Sequence, residues 1–221
     1  MDAITLANID KYTVTEDTRN FLGKHHKMYI NGEFVESASG QVSSIEDPAT
    51  GGELITVTMA NEADVDTAVA AARQAFEDSE WSRLSPMDRQ ALLLKLADLM
   101  EANAQTLAEL ESLDAGKAIT GCMPVDIMGS IDFLRYMAGW ATKIDGATRD
   151  VSTPNAFGFT LKQAVGVVGA IVPWNWPLNM SMWKLAAPLT VGCTVVLKPA
   201  EITPLSMLYF ARLCDEAGIP K

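Results

Sequence analysis

The sequence predicts an α/β fold: a partial, Rossmann-type parallel sheet with crossover helices, preceded by a largely helical segment. Three observations carry this. From Val165 onward, apolar strand-like runs alternate with helix-like ones, the order that gives parallel strands joined by crossovers. Upstream, helix start signals precede stretches whose apolar residues recur at helical spacing. Between the two, residues 142–163 are polar and punctuated by Asp145-Gly146, and residues 157–163 alternate as an exposed strand does.

In chain order, residues 28–35 read as a hairpin, because Asn31-Gly32 supplies the positive φ of a tight two-residue turn. Asp47-Pro48-Ala49-Thr50-Gly51-Gly52 is a second turn, and residues 54–59 form the strand after it. Asn61 is a helix N-cap with Asp64 three residues on, followed by Val65, Val69, Ala72 and Phe76 as an apolar stripe. Ser85-Pro86 starts another helix with the stripe Leu92, Leu96, Leu99, Leu107 and Leu110, ending near Gly116. A third covers residues 126–140, with Ile127, Ile131, Leu134 and Ala138 on one face. Residues 164–172 are nearly all apolar, as in a strand buried on both faces. Residues 178–191 suit a helix that Pro188 should kink or end early. Residues 194–198 form the next buried strand, and Thr203-Pro204 caps a last helix ending at Gly218. Two strands and two helices leave a doubly wound sheet incomplete, so the chain reads as a truncated domain.

Composition narrows the class. Of 221 residues, 48% are hydrophobic and 20% charged, which fits a folded chain rather than a disordered one. A net charge of −11 argues against nonspecific binding to nucleic acid or to an anionic membrane. No apolar run approaches a membrane span, and the N-terminal residues lack a basic start followed by an apolar stretch. Cys122, Cys193 and Cys214 are odd in number and without CxxC spacing, as expected of a reducing cytoplasm and not of a disulfide framework or a metal site. They read as small buried apolar residues. His25 and His26 read as surface residues.

Ligands of open parallel sheets bind beyond the carboxyl ends of the strands. Two such ends carry unusual residues. In Pro173-Trp174-Asn175-Trp176-Pro177 the prolines fix the backbone, the indoles should exclude water, and the amide could donate to a developing oxyanion; a rigid aromatic turn with Asn175 bonding its own backbone is the competing reading. In Lys198-Pro199-Ala200-Glu201 the ammonium and carboxylate suit ribose hydroxyls, and an ordinary solvated ion pair is the alternative. Gly166 and Gly169 do not reproduce GxGxxG.

Residues 166–220, GVVGAIVPWNWPLNMSMWKLAAPLTVGCTVVLKPAEITPLSMLYFARLCDEAGIP, closely resemble the aldehyde dehydrogenase superfamily, whose Pro-Trp-Asn-aromatic-Pro and Lys-Pro-(Ala/Ser)-Glu blocks they match in register. Upstream, MYINGEF, DPATG, ANEADVDTAVAAARQAF and LRYMAGWATKIDG are similar too. The resemblance is strongest to members acting on aromatic aldehydes, such as phenylacetaldehyde.

The resemblance implies an NAD(P)-dependent oxidation of an aldehyde to a carboxylic acid through a cysteine thiohemiacetal. Asn175 then matches the amide that holds the substrate oxygen. Ile171, Val172, Pro173 and Trp174 match the strand end along which the dinucleotide lies, and Lys198, Pro199, Ala200 and Glu201 match the block that binds its adenosine ribose. Glu201 would repel a 2′-phosphate, which favours NAD over NADP. Trp176, Met180 and Trp183 match the wall of the aldehyde tunnel, with helix core packing as the alternative. The implied layout is an N-terminal tail (1–20), the first part of the cofactor-binding domain (21–141), a hairpin for homo-oligomerisation as dimer or tetramer (142–163), and the start of the NAD-binding core (164–221). The family's catalytic Cys and Glu have no counterpart here, and Cys193 matches a turn before a strand. A second reading therefore stands beside the enzyme: a non-catalytic product that at most binds a partner subunit.

Overall fold

A computed structural model describes residues 9–221, so the first part of the expected N-terminal tail lies outside the described residues. Helix α1 (Glu16–Leu22) is capped by Thr15. Two antiparallel ribbons follow, β1 (Met28–Ile30) with β2 (Glu33–Val35), and β3 (Val42–Asp47) with β4 (Gly52–Thr58). Asn31 and Gly32 both take positive φ, 53° and 71°, as the first hairpin requires. Helices α2 (Glu62–Glu77), α3 (Glu80–Arg83), α4 (Pro86–Ala102) and α5 (Ala104–Ala115) come next. Then α6 (Ile119–Gly121) passes through a π-wound stretch, Cys122–Met128, into α7 (Gly129–Ala138). A small hairpin of β5 (Ala147–Arg149) and β6 (Gly158–Thr160) leads to β7 (Val167–Ile171), α8 (Pro177–Val191), β8 (Thr194–Lys198) and α9 (Leu205–Ala217).

Strands β7 and β8 are parallel and α8 is their crossover, so the fold is α/β, with one parallel and three antiparallel strand pairs among the described residues. The core lies among α4, α5, α7, α8 and α9, around Leu96, Met100, Leu107, Leu110, Ile131, Leu178 and Phe210. Capping boxes start α2, at Asn61 and Asp64, and α4, at Ser85 and Asp88 with Pro86 in the first turn.

Several local expectations are corrected. The single stripe from Leu92 to Leu110 is two helices, interrupted at Asn103, whose amide Nδ2 donates to the Leu99 carbonyl at 2.8 Å and whose Oδ1 accepts from the Tyr209 hydroxyl at 2.7 Å. The buried face of α4 is Leu93, Leu96, Ala97 and Met100, which keeps Leu96 of the expected stripe but is centred about 100° from Leu92 and Leu99, both half-buried. The third helix starts earlier than residue 126, because π winding carries the backbone past Pro124, which has no N–H to donate. Helix α8 runs through Pro188 to Val191: a proline so near the end costs one late intrahelical bond, and Gly192 in the left-handed region closes the helix against the Leu189 and Pro188 carbonyls. Finally, β7 is not buried on both faces. Ala170 is covered, while Ile171 is 72% exposed and Val165, just before the strand, 85%, since β8 is its one sheet neighbour among the described residues.

The α2 stripe is likewise open. None of its residues is buried, and Val65, Ala68, Ala71, Ala72 and Ala75 line one wall of a cavity of about 550 Å3 whose other walls are β8, α9 and the β1–β2 hairpin. His26 is no surface residue: its ring stacks on Phe21 at 3.8 Å, Nε2 bonds the Phe21 carbonyl oxygen, and burial lowers its pKa to about 4. Among the described residues no helix is long and apolar enough to cross a membrane.

Candidate functional site at the carboxyl ends of two parallel strands

The register of the parallel pair puts the two unusual loops side by side. Ile171 stands opposite Lys198, and the Val172 amide donates to the Lys198 carbonyl at 3.2 Å. Both strands end at that level. Residues 173–176 and 199–204 therefore leave the sheet from adjacent points, the place where ligands of parallel sheets lie.

On the first loop, Asn175 is exposed and its side-chain amide bonds none of the described residues, its own backbone included. Both amide hydrogens are free to be given to a ligand oxygen. The indoles of Trp174 and Trp176 are 57% and 42% exposed, so in this chain they flank Asn175 without shielding it from water. The expected dry pocket is absent because nothing described packs over this loop. Lys117 approaches from below: its Nζ lies 6.0 Å from the Trp176 ring centroid and 2.9 Å from the carboxylate of the buried Asp126.

On the second loop, Lys198 Nζ and Glu201 Oε1 are 2.6 Å apart, and Nζ also donates to the Pro199 carbonyl at 3.2 Å. The Lys198 hydrogen bond holds the Glu201 carboxyl below the usual carboxylate range. Both side chains are about half exposed, so the pair is solvated as well as ordered. Val172 and Ala200 are buried, whereas Ile171, Pro173 and Trp174 present an open surface. The 550 Å3 cavity touches residues 198–201 and does not reach residues 171–176.

Trp176 caps α8, and Met180 and Trp183 follow on it at spacings that, at about 100° per residue, share one face. The opposite face, Leu178, Met182 and Leu185, is the buried one. Trp183 is 55% exposed and lies 6.0 Å from the Phe133 ring, while Met180 is half-buried. Core packing thus does not account for the two indoles.

Sequence reasoning missed the buried acids of α5. Glu109, Glu111 and Asp114 are all buried, and Glu111 and Asp114 sit directly beneath the two loops. Their signal was present: acids interleaved with Leu107, Leu110 and Leu113 leave the helix no polar side. Burial raises the Glu111 carboxyl to about 7 and lifts Asp114 well above the carboxylate range. The cysteines are free, Cys122 and Cys193 buried and Cys214 half-buried; burial pushes the Cys122 and Cys214 thiols up to about 12. Among the described residues no group of three or more His, Cys, Asp or Glu could hold a metal ion.

Comparison with known proteins agrees with this arrangement. The model of the aldehyde dehydrogenase family matches residues 34–221. The Bacillus subtilis (strain 168) protein DhaS is 53% identical over 207 residues, 94% of this chain and 42% of its own length. Retinal dehydrogenase 2 of Gallus gallus is 48% identical over 204 residues, 92% of this chain and 39% of its own. The structure of an aldehyde dehydrogenase from Bacillus cereus in complex with NAD+ superposes with a TM-score of 0.92 at 46% identity, covering 94% of this chain and 42% of that one. The chain spans about two fifths of the length of these relatives. With its parallel pair and both loops inside the matched region, this chain belongs to the aldehyde dehydrogenase family.

Proposed function

We propose that this chain forms one side of the site of an NAD-dependent enzyme that oxidises an aldehyde to a carboxylic acid. The observation that carries this is the juxtaposition of an unpaired amide, Asn175, with an ordered Lys198–Glu201 pair across two strand ends in register. Asn175 donates to the substrate oxygen as negative charge gathers on it during attack by a cysteine thiolate, forming the tetrahedral thiohemiacetal. None of this chain's thiols suits that attack, since Cys122 and Cys193 are buried and Cys122 and Cys214 hold their protons. The nucleophile and the base that activates the hydrolytic water come from outside these 221 residues, and the chain by itself is inactive.

The residues present fit a dinucleotide. A carboxylate and an ammonium 2.6 Å apart match the acceptor and donor needs of two adjacent ribose hydroxyls, and Ile171, Pro173 and Trp174 offer an apolar surface beside them. When bound, NAD supplies the hydride acceptor. The Glu201 carboxylate disfavours a 2′-phosphate, so NAD is preferred over NADP. The exposed indoles of Trp176 and Trp183, with Met180 between, support an aromatic aldehyde such as phenylacetaldehyde. The β5–β6 hairpin, with Phe157 and Phe159 exposed, supports homo-oligomerisation, and the domain limits at residues 20, 141 and 163 follow the same reading. Three free cysteines accord with a cytoplasmic enzyme.

The test is the full open reading frame that encodes this chain. Its product should form NADH with aldehyde, whereas the 221-residue chain should form none. Turnover by the mass-verified short chain, or none by the frame's product with any aldehyde, would overturn the proposal.

A further inference from the structure

Helices α8 and α9 share a peculiarity. Each follows a site loop, and neither has a side-chain cap of its own, since Trp176 and Pro204 occupy the cap positions. Helix N-termini leave backbone donors unpaired unless something accepts from them. Here the acceptors come from one distant helix. The Leu178 amide donates to Glu111 Oε1 at 3.3 Å, and the Leu205 amide donates to Asp114 Oδ2 at 2.8 Å. Glu111 and Asp114 are three residues apart on α5 and so lie on one face of it. Both are buried, where an acceptor facing a positive helix end is worth more than at the surface. The third acid of this helix does the same for α1: Glu109 accepts from the Thr15 amide and hydroxyl, each at 2.9 Å.

We propose that Glu111 and Asp114 are positioning residues, which cap α8 and α9 from one rigid helix and so fix the Asn175 loop and the Lys198–Glu201 loop relative to each other. The register of β7 and β8 sets where the loops start; α5 sets where they end. Neither carboxylate touches the reacting atoms. The local geometry stands independently, while its importance to catalysis rests on the function proposed above.

The test is segment-resolved amide hydrogen exchange on the 221-residue chain, with Glu111→Leu, Asp114→Ala, Glu111→Gln and Asp114→Asn. Glu111→Leu should speed exchange across residues 173–180 roughly fivefold or more, as loss of a cap does, with a smaller rise across residues 203–207, where Ser206 neighbours Glu111. Asp114→Ala should do the converse. The Gln and Asn variants keep an acceptor oxygen of the same reach and should restore protection in their own segment. An equal rise in both segments and in α4 would show plain destabilisation and overturn the proposal, as would no change at all. If the Leu and Ala variants do not fold, the Gln and Asn variants decide alone: retained protection supports the caps, and its loss sinks them. The readout uses neither cofactor nor aldehyde, so its failure is distinct from failure of the enzymatic reading, which shows as absent NADH formation.

Discussion

Replacing Glu111 by Gln should change how stability depends on pH, by an amount the structure sets. Burial raises the Glu111 carboxyl from 4.5 to about 7, against the lowering pull of the Ser206 hydroxyl, of Lys117 and of the Leu178 amide. The charged groups facing it are Lys117 and, as like charges, Asp126 and Asp114. Because the folded form holds its proton to a higher pH than the unfolded chain, the folded state binds more protons in this window. Stability from this group is therefore fully present below about pH 4.5 and is lost as pH rises through about 7. At about 1.4 kcal/mol per unit, the loss is about 3 kcal/mol. The amide of the Glu111→Gln variant cannot titrate. The variant's unfolding free energy minus that of the wild type should thus rise by about 3 kcal/mol between pH 4.5 and 8. Asp114, freed of a charged neighbour, ionises more easily in the variant and pushes the difference the same way. Urea unfolding followed by tryptophan fluorescence at half-unit pH steps measures it. A difference that varies by less than about 1 kcal/mol over the window would refute the assignment of Glu111 as a carboxyl kept neutral by burial.

Three further outcomes are expected. In the product of the full reading frame, Asn175→Ala should slow acylation by roughly one to three orders of magnitude, as removal of an oxyanion donor does, and an unchanged rate in a rapid-mixing burst would remove Asn175 from that role. Gly146→Ala should open the β5–β6 hairpin, because the added Cβ would stand 1.8 Å from the Thr160 carbonyl oxygen; limited proteolysis across residues 147–160 detects it, and wild-type resistance would contradict the geometry. The 221-residue chain should self-associate as its concentration rises, through the open edge of the two-stranded parallel sheet and the apolar cavity beside it. Sedimentation showing one monomeric species at all concentrations would count against that.

What could be read in the sequence was what neighbours in the chain determine. Asn31-Gly32 needs only its own dihedrals, and the Asn61–Asp64 box closes within one turn. The parallel pair was legible because residues 195–197 are an apolar β-branched-rich run and a helix separates them from the strand before. What was hidden depends on distant partners. Thr203-Pro204 looked like a self-capped start, yet the acceptor at Leu205 is Asp114, 91 residues away. Val65 and Val69 repeat as a core stripe should, yet they stay exposed, because a period tells which face is apolar and not whether anything covers it. The two site loops were visible as odd residues at strand ends; that their indoles stand in water follows from packing that no local pattern encodes.

The acids of α5 also impose an order in time. Leu178 finds its acceptor 67 residues back and Leu205 finds its own 91 back, so neither helix start is complete until a long loop has closed. Both acceptors precede their donors in the chain. During synthesis, α5 leaves the ribosome before α8 or α9 exists, and each new helix meets a waiting carboxylate as it emerges. A permuted chain that began at β7 would reverse this, making two helices whose first turns have nothing to bond until α5 is made.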